Sequence, residues 1–260
     1  MKYGFIGCGN MGGALARALT KTTRDVIISD PSPMAREFAA EAGCEYGSNE
    51  QAARSERVFL AVKPNIVEGA LAQLRSVLKA NKPLLISMAA GVSIAQIESW
   101  AGTEIPVIRI MPNTPVAIGK GVIQYCCNDL VSGDLLADWL TDMRFAGQMD
   151  ALEERLIDAG SALSGSGPAY VYMFIEALAD GAVACGIPRA KAMEYAAATV
   201  IGAGELVLAT HQHPGALKDA VCSPGGSTIA GVRALENHGF RAAAMEAVIA
   251  TYNRNKELGK

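Results

Sequence analysis

The residues best suited to chemistry in the first half of the chain are three glycines and an acid: Gly7, Gly9, Gly12 and Asp30. In a dinucleotide-binding turn the first glycine permits the turn, the second lets a pyrophosphate approach the backbone, and the third lets a helix lie close to a strand. Asp30 ends the next apolar run, where a carboxylate can accept hydrogen bonds from a ribose. Because glycine motifs are common, a plain sheet turn with a surface acid is the alternative, and the position of Asp30 favours dinucleotide binding.

A second candidate site lies at 223–228, which reads Ser-Pro-Gly-Gly-Ser-Thr. Two adjacent glycines with flanking hydroxyls expose backbone N–H groups at the start of a predicted helix, which suits a carboxylate. The same residues also fit a helix cap, with Ser227 or Thr228 as the capping side chain, and both roles can hold together. The segment 164–168, Ser-Gly-Ser-Gly-Pro, is equally ambiguous, and there capping and packing are the favoured interpretation.

Other polar residues limit the kinds of reaction and cofactor that the sequence supports. Lys63 directly follows a predicted buried strand, so cofactor contact is at least as plausible as a solvated surface position. His211 and His213 form an His-x-His pair, but no third or fourth ligand is evident, so no metal site is expected. The sequence suggests no nucleophile with a partner base, which favours hydride transfer to a substrate that is already electrophilic.

Apolar runs alternate with helical patterns through the first part of the chain, which predicts an α/β fold with a Rossmann-type doubly wound sheet. After this part strand signals vanish and alanine-rich helical periodicity continues. We therefore predict a dinucleotide-binding domain over 1–151 and an all-helical domain over 152–260. The helix predicted over 168–185 is apolar around most of its circumference, which indicates burial against a partner subunit. The alternative is that this helix is buried at the centre of the helical bundle of its own chain.

The amino-acid composition indicates an ordinary globular protein and argues against several other classes. Of 260 residues, half are apolar and 19% are charged, as in ordinary globular proteins. A net charge of −3 without a long basic run argues against nucleic acid or an anionic membrane as the main partner. The apolar run 169–187 carries two acids, which argues against a membrane span. Six cysteines without metal-ligand spacing, and no signal-peptide pattern, predict reduced thiols and a cytoplasmic location.

Together these segments resemble the pyrroline-5-carboxylate reductase family over essentially the whole chain. The matching stretches are 5–12, 61–64, 89–91 and 109–115, and the two most distinctive are 163–170 (Leu-Ser-Gly-Ser-Gly-Pro-Ala-Tyr) and 223–228. The resemblance implies reduction of 1-pyrroline-5-carboxylate to L-proline, the last step of proline biosynthesis, with NADPH or NADH. It also implies a homodimer with interlocked helical domains that can assemble further into rings.

The resemblance assigns roles by position. The implied cofactor-binding residues, with Asp30, are Ile6, Gly7, Cys8, Gly9, Asn10, Met11, Asn49, Ala61, Val62, Lys63, Pro64, Met88, Ala89 and Ala90. The implied substrate-binding residues, which hold the carboxylate through backbone N–H groups, are Ser223, Gly225, Gly226, Ser227 and Thr228. Thr228 is the implied catalytic residue, because its hydroxyl would hydrogen-bond the ring nitrogen.

Asp30 departs from the family pattern. Many members carry a hydroxyl or basic residue there, suited to a 2′-phosphate, whereas a carboxylate repels that group and bonds a free ribose. Ser32 and Arg36 lie nearby and could still accept a phosphate, so we expect NADH to be used at least as well as NADPH.

Two other functions stay open. One is a reductase of another cyclic imine, or a hydroxyacid dehydrogenase that would need Lys191 or Lys218 as its base, although both lysines are expected to face solvent. The other is a non-catalytic dinucleotide sensor, against which the intact substrate loop argues.

Overall fold

The computed structural model describes residues 1–258, and the chain forms two compact units. Unit 1 comprises residues 1–166 together with the chain from residue 251, and unit 2 comprises residues 167–250. The predicted boundary at 151 coincides with the end of the last strand. Unit 1 continues past it through a short helix and a π-helical turn, which the sequence pattern did not separate from the helical region.

Unit 1 is built on one sheet, which has eight strands within the described residues. The strands are β1 Tyr3–Ile6, β2 Val26–Ser29, β3 Glu45–Tyr46, β4 Arg57–Leu60, β5 Leu84–Ser87, β6 Val107–Met111, β7 Gly121–Cys127 and β8 Gly147–Ala151. The helices are α1 Asn10–Leu19, α2 Pro33–Ala42, α3 Asn49–Ala52, α4 Pro64–Asn81, α5 Ile94–Ala101, α6 Gly133–Asp142 and α7 Glu154–Gly160. A 3-10 turn occupies Thr114–Ile118, and a π-helical turn occupies Ser161–Gly165.

The strand order is β3-β2-β1-β4-β5-β6-β7-β8. Neighbouring strands run parallel except for β6 and β7, which are antiparallel. The reason is the connection between them, residues 112–120, which is too short for the crossover that a parallel pair needs. Helix α6 then carries the chain back, so that β8 pairs with β7 in parallel. The predicted doubly wound sheet is confirmed, with one reversed strand that the sequence pattern did not indicate.

Successive strand residues enter different hydrophobic clusters, as expected when both faces of a sheet are covered. Phe5 and Phe59 lie in one cluster, where their rings stack with centroids 4.4 Å apart. Ile6, Val58 and Leu60 lie in the other. This explains the unbroken apolar runs in the sequence.

A buried ionic cluster fixes the end of α6 to the start of two strands. The Tyr3 hydroxyl donates to Asp142 Oδ2 at 2.7 Å, Lys2 Nζ lies 2.8 Å from the same oxygen, and Arg57 lies 3.5 Å away. Burial acts to raise the pKa of Asp142, but the hydrogen bonds from Lys2 and Tyr3 outweigh it, and the pKa lies below its ordinary value. Burial raises the pKa of Tyr3 well above its ordinary value.

Unit 2 consists of helices. They are α8 Gly167–Ala184, α9 Arg189–Thr210, α10 Pro214–Ala220, α11 Ser227–Asn237 and the first part of α12 Phe240–Leu258, whose last residues belong to unit 1. Its buried cluster contains alanines, Ala179, Ala192 and Ala196. On α8, Met173 is 71% exposed and Tyr172 59%, so the alternative that α8 is buried within its own bundle is excluded.

Helix α9 is, among the described residues, the one helix with the length and apolar composition to cross a membrane. Little of it is buried within the chain. The same properties are expected of a helix that packs against a second subunit, where apolar surface is covered by protein.

Candidate active site

The loops predicted to bind a cofactor meet at one edge of the sheet. Strand register places Ile6 beside both Ser29 and Leu60, and Leu60 beside Ser87. The residues that follow these strands, Gly7, Asp30, Ala61 and Met88, therefore lie level with one another at the carboxyl edge. Backbone hydrogen bonds continue the pairing past the strand ends, with Gly7 N donating to Ser29 O and Ala61 N to Ile6 O, both at 2.8 Å. This edge is where open α/β sheets bind ligands.

The glycine turn leaves no room for side chains at two positions. Gly7 has a φ of +96°, and a Cβ there would lie 2.5 Å from the carbonyl oxygen of Ala61. A Cβ at Gly12 would lie 2.9 Å from the Cβ of Ala61, so α1 can approach the sheet only with glycine there. Gly9 differs, because no heavy atom lies within 4 Å of where its Cβ would be. The backbone at Gly9 is thus open to a ligand.

The start of α1 is suited to an anion. Gly9 is its N-cap residue, no side chain caps the helix, and no acid lies in its first turn. The first N–H groups of a helix lack carbonyl partners and carry the positive end of its dipole. An exposed backbone at Gly9 and uncapped N–H groups beside it fit the pyrophosphate of a dinucleotide.

Two hydrogen bonds to side chains fix the glycine turn and the end of β2. The backbone N–H of Cys8 donates to Asp30 Oδ2 at 2.7 Å, and the Ser29 hydroxyl donates to Asn49 Oδ1 at 2.7 Å. Burial, and then the charge of Asp30, raises the pKa of Cys8 to about 11. The Cys8 thiol therefore stays neutral at physiological pH, which suits a wall of a phosphate site and not a nucleophile.

A small cavity of about 220 Å³ lies at the carboxyl ends of β4, β5 and β6. Its lining includes Pro64 and Ala90, as the predicted loops require, and also Asp158, Ser161 and Asn255, which the sequence analysis missed. Asn255 lies 97 residues after Asp158 along the chain and further still from Pro64 and Ala90, and its side chain donates to the Asp158 carbonyl at 3.3 Å. No local pattern could have predicted this meeting.

A buried arginine organises the wall of that cavity. Arg109 on β6 is 4% exposed, and it donates to Asp158 Oδ1 at 2.9 Å and to Glu154 Oε1 at 3.3 Å. Glu154 also accepts the backbone N–H of Ile94 at 2.7 Å. The sequence did carry a signal here, because a charge within an apolar strand needs a buried partner.

The segment 164–168 has a role other than the predicted helix cap. Ser164 lies in the π-helical turn, where its carbonyl accepts from Asn113 Nδ2 at 2.9 Å and its hydroxyl from Gln124 Nε2 at 2.7 Å. Asn113 Oδ1 in turn accepts the backbone N–H of Val122 at 2.9 Å. The packing part of the prediction is confirmed, because two buried amides hold an irregular turn against β7.

The second candidate site, in unit 2, begins with a tight turn. Gly226 N donates to the Ser223 carbonyl at 3.0 Å, Pro224 precedes the central glycine, and Gly225 has a φ of +69°, as in a type II turn. Gly226 is the N-cap residue of α11 and no side chain caps it, so the capping role predicted for Ser227 or Thr228 is wrong. These two residues form the first helical turn, where uncapped N–H groups suit a carboxylate.

Other candidate groups are accounted for by local contacts. Lys191 pairs with Glu194 at 2.9 Å and Lys218 with Asp219, both at the surface. The His213 ring accepts the backbone N–H of Gly215 at the start of α10. Within the described part of the chain, no group of three or more His, Cys, Asp or Glu residues could hold a metal ion.

A mostly parallel sheet with a glycine turn at its carboxyl edge, followed by a helical unit, is the architecture of a two-part dinucleotide-dependent oxidoreductase. Residues 2–91 match a family described as NADP oxidoreductase coenzyme F420-dependent, and residues 154–258 match one described as pyrroline-5-carboxylate reductase dimerisation. The chain belongs to the pyrroline-5-carboxylate reductase family, which confirms the resemblance noted from its motifs.

Relatives named pyrroline-5-carboxylate reductase match over the full chain. The one from Escherichia coli is 41% identical, covering 100% of this chain and 98% of its own. The one from Synechocystis is 43% identical, covering 100% and 99%. A crystal structure of the Plasmodium falciparum pyrroline carboxylate reductase with NADP bound superposes with a TM-score of 0.90 at 33% identity, covering 100% and 98%.

Proposed function

We propose that this protein reduces 1-pyrroline-5-carboxylate to L-proline with a reduced nicotinamide dinucleotide, as the last step of proline biosynthesis. The observation that carries the proposal is the turn at 223–226, which presents uncapped N–H groups at the start of α11. A dinucleotide-binding edge is common to many oxidoreductases, whereas this turn supplies a place for the carboxylate of a small cyclic substrate.

The dinucleotide is proposed to lie along the carboxyl edge of the sheet in unit 1. Its pyrophosphate lies at the glycine turn and the uncapped start of α1, and its adenosine ribose at Asp30. The loops that begin at Ala61 and Met88 line the nicotinamide half, and Asn49 lies beside the end of β2. These assignments are based on the position of each residue at or near the end of a strand. Each of them can be tested by substituting the residue.

The reaction needs orientation more than acid–base chemistry. The bound dinucleotide supplies a hydride. A protonated cyclic C=N is already electrophilic at carbon, so the protein needs to hold it in place and exclude water. The backbone N–H groups of Ser227 and Thr228 bind the substrate carboxylate. The Thr228 hydroxyl accepts the hydrogen bond of the ring N–H, which positions the carbon without any covalent role for Thr228.

Assembly and location belong to the same proposal. The exposed apolar residues of α8 and α9 support a homodimer through unit 2, which can assemble further into rings. The cysteines of the described chain are free thiols, which supports a cytoplasmic location.

The test is the loss of reduced-nicotinamide absorbance with 1-pyrroline-5-carboxylate, run in parallel with NADH and NADPH. Rapid oxidation dependent on the imine, with proline as product, is expected. Oxidation only with a cyclic imine of another ring size would change the assigned substrate. Binding of the dinucleotide without oxidation by any cyclic imine would favour a sensor and contradict the proposal.

A further inference from the structure

The end of α12 contributes to a cavity of the sheet unit. The chain from residue 251 onward belongs to unit 1. There Asn255 lines the cavity of about 220 Å³, and its Nδ2 donates to the Asp158 carbonyl at 3.3 Å. Pro64 and Ala90 line the same cavity, and they lie in the two loops proposed to surround the nicotinamide half of the cofactor.

Asp158 is held through both its side chain and its backbone. Its Oδ1 accepts from Arg109 on β6 at 2.9 Å, and Arg109 is buried. Its carbonyl accepts the backbone N–H of Ser161 and the side-chain N–H of Asn255. A carbonyl oxygen has two lone pairs, so these two donors satisfy it. The sheet therefore fixes the side chain of Asp158, and the end of the chain fixes its backbone.

The contact from Asn255 lies where α7 changes into the π-helical turn. A change of helical period leaves carbonyl groups that the helix itself does not fully satisfy, so side chains supply the missing donors. The Gly160 carbonyl accepts the Ser164 hydroxyl at 3.1 Å, and the Asp158 carbonyl accepts Asn255. Irregular backbone persists where the surrounding contacts determine it. Asn255 is thus one of the contacts that keep this turn, and Ser161 at its start, in place.

The size and lining of the cavity suit a single ring. At about 220 Å³ it is smaller than the roughly 300–1,000 Å³ of pockets that enclose drug-sized ligands. Ala90, Gly91 and Met111 contribute apolar surface, whereas Ser161 and Asn255 contribute polar groups. A nicotinamide ring, which has apolar faces and a polar amide, fits this combination.

We propose that Asn255 is a positioning residue for hydride transfer, which acts through the Asp158 carbonyl to keep the wall of the nicotinamide cavity in place. The proposal rests on the proposed function, because that function places the nicotinamide half at the loops after β4 and β5. Asn255 takes no part in the chemistry; it fixes the π-helical turn that lies beside the ring. The segment after residue 250 is therefore part of the active site, although its sequence continues the helical region.

Binding to the intact protein tests where Asn255 acts. Calorimetry would compare NADH with ADP-ribose, which lacks the nicotinamide ring. Asn255→Asp keeps the shape of the side chain and replaces its N–H donor with an acceptor. We expect this variant to bind NADH roughly fivefold more weakly, the value of about one hydrogen bond, and ADP-ribose with unchanged affinity. Asn253→Asp is the matched control, because it makes the same change at an exposed position of α12 and should alter neither affinity.

A single turnover measures the consequence for the reaction. It is started by adding 1-pyrroline-5-carboxylate to enzyme that has NADH bound. The rate constant reports the alignment of the ring, and the amplitude reports the fraction of active enzyme. Because a small misplacement of a reacting group slows transfer strongly, we expect a rate constant about tenfold lower in Asn255→Asp, with the amplitude unchanged. Asn255→Gln, which retains an N–H donor, should recover part of this loss.

Unchanged NADH affinity in Asn255→Asp would overturn the proposal. Equal losses of NADH and ADP-ribose affinity, a fall in amplitude alone, or the same effects in Asn253→Asp would also overturn it, because they indicate a merely structural role. If Asn255→Asp does not fold, Asn255→Ala removes the donor without adding a charge and decides with the same two ligands. A wild type that binds NADH but transfers no hydride would contradict the proposed function, and the comparison of NADH with ADP-ribose would still test Asn255.

Discussion

The two units bury their apolar residues to very different extents. In unit 1 large side chains are fully buried on both faces of the sheet, including Phe5 and Leu60 on the strands and Trp139 on α6. In unit 2 the buried cluster is formed by three alanines, while Met173 and Leu208 are 71% and 68% exposed. Since burial of apolar surface is the main favourable term in folding, we expect the stability of unit 2 to depend on a partner surface more than that of unit 1 does.

The two units also differ in the ligand that each is proposed to bind. Unit 1 presents the edge of the sheet that is proposed to bind the cofactor, and unit 2 presents the turn that is proposed to bind the substrate carboxylate, on helices that a second subunit is proposed to cover. Substrate binding is therefore expected to depend on assembly, whereas dinucleotide binding is not. Substitutions that act on one unit alone test this difference.

A charge on the exposed face of α8 should have the largest effect. Met173→Asp places an unpaired carboxylate in the proposed subunit interface, where burial of a charge costs several kcal/mol. We expect dimerisation at least 100-fold weaker and imine reduction lost at low protein concentration. Analytical ultracentrifugation measures the first and the coupled assay the second.

The matched control is Ile118→Asp in unit 1. Ile118 is 76% exposed, similar to Met173, but it lies in the 3-10 turn of the sheet unit. The Ile118→Asp variant should dimerise with the same affinity as the wild type. If both variants dissociate equally, or neither does, the contrast between the units is wrong.

The ionic cluster at Asp142 should contribute to the stability of unit 1 and not to dimerisation. Asp142→Asn leaves Arg57 and Lys2 without their shared partner, and removal of one member of a buried pair costs about 3 kcal/mol. The free energy of unfolding, measured with urea, should fall by this amount at any protein concentration. Asp138→Asn is the control, because Asp138 pairs with Arg57 at 3.4 Å but is 75% exposed, and its loss should cost about 0.5 kcal/mol or less.

This cluster also predicts a pH dependence. The pKa of Asp142 is lowered in the folded protein, so its contribution is present above the ordinary aspartate range and is lost as the pH falls through the folded pKa. Wild-type stability should therefore decline on acidification more steeply than that of Asp142→Asn. Parallel declines would show that the carboxylate contributes little.

Thr228 should separate catalysis from cofactor binding. Thr228→Ala removes the hydroxyl proposed to hold the ring nitrogen, and misplacement of a reacting group costs roughly 100-fold in rate. We expect turnover to fall by up to this factor while NADH affinity, followed by fluorescence, stays within twofold or so of the wild type. Ser227→Ala should retain most of the activity. Unchanged turnover in Thr228→Ala would remove Thr228 from the catalytic role.

Much of the fold followed from local patterns. The helix predicted over 168–185 matches α8 to within one residue at each end, because proline near its start and glycine just past its end are local signals. The Ser-Pro-Gly-Gly turn was recognisable for the same reason, since turn type depends on its own four residues. The site assignments remain predictions, although each cofactor loop lies at the sheet edge where the order of strands puts it.

The alternation of strands and helices, the glycine turn, the family and the expected class of cofactor could be predicted from the amino-acid sequence, since each depends on residues that are close together in the chain. The tertiary structure was needed to show that β7 is antiparallel to β6, that Asn113 and Gln124 hold a π-helical turn, and that Asn255 lines a cavity beside β4. It also decided that both oxygens of Asp30 are held by backbone N–H groups. Such contacts join residues far apart in sequence, and their partners are selected by packing and hydrogen-bond satisfaction in the whole fold, which no local pattern contains.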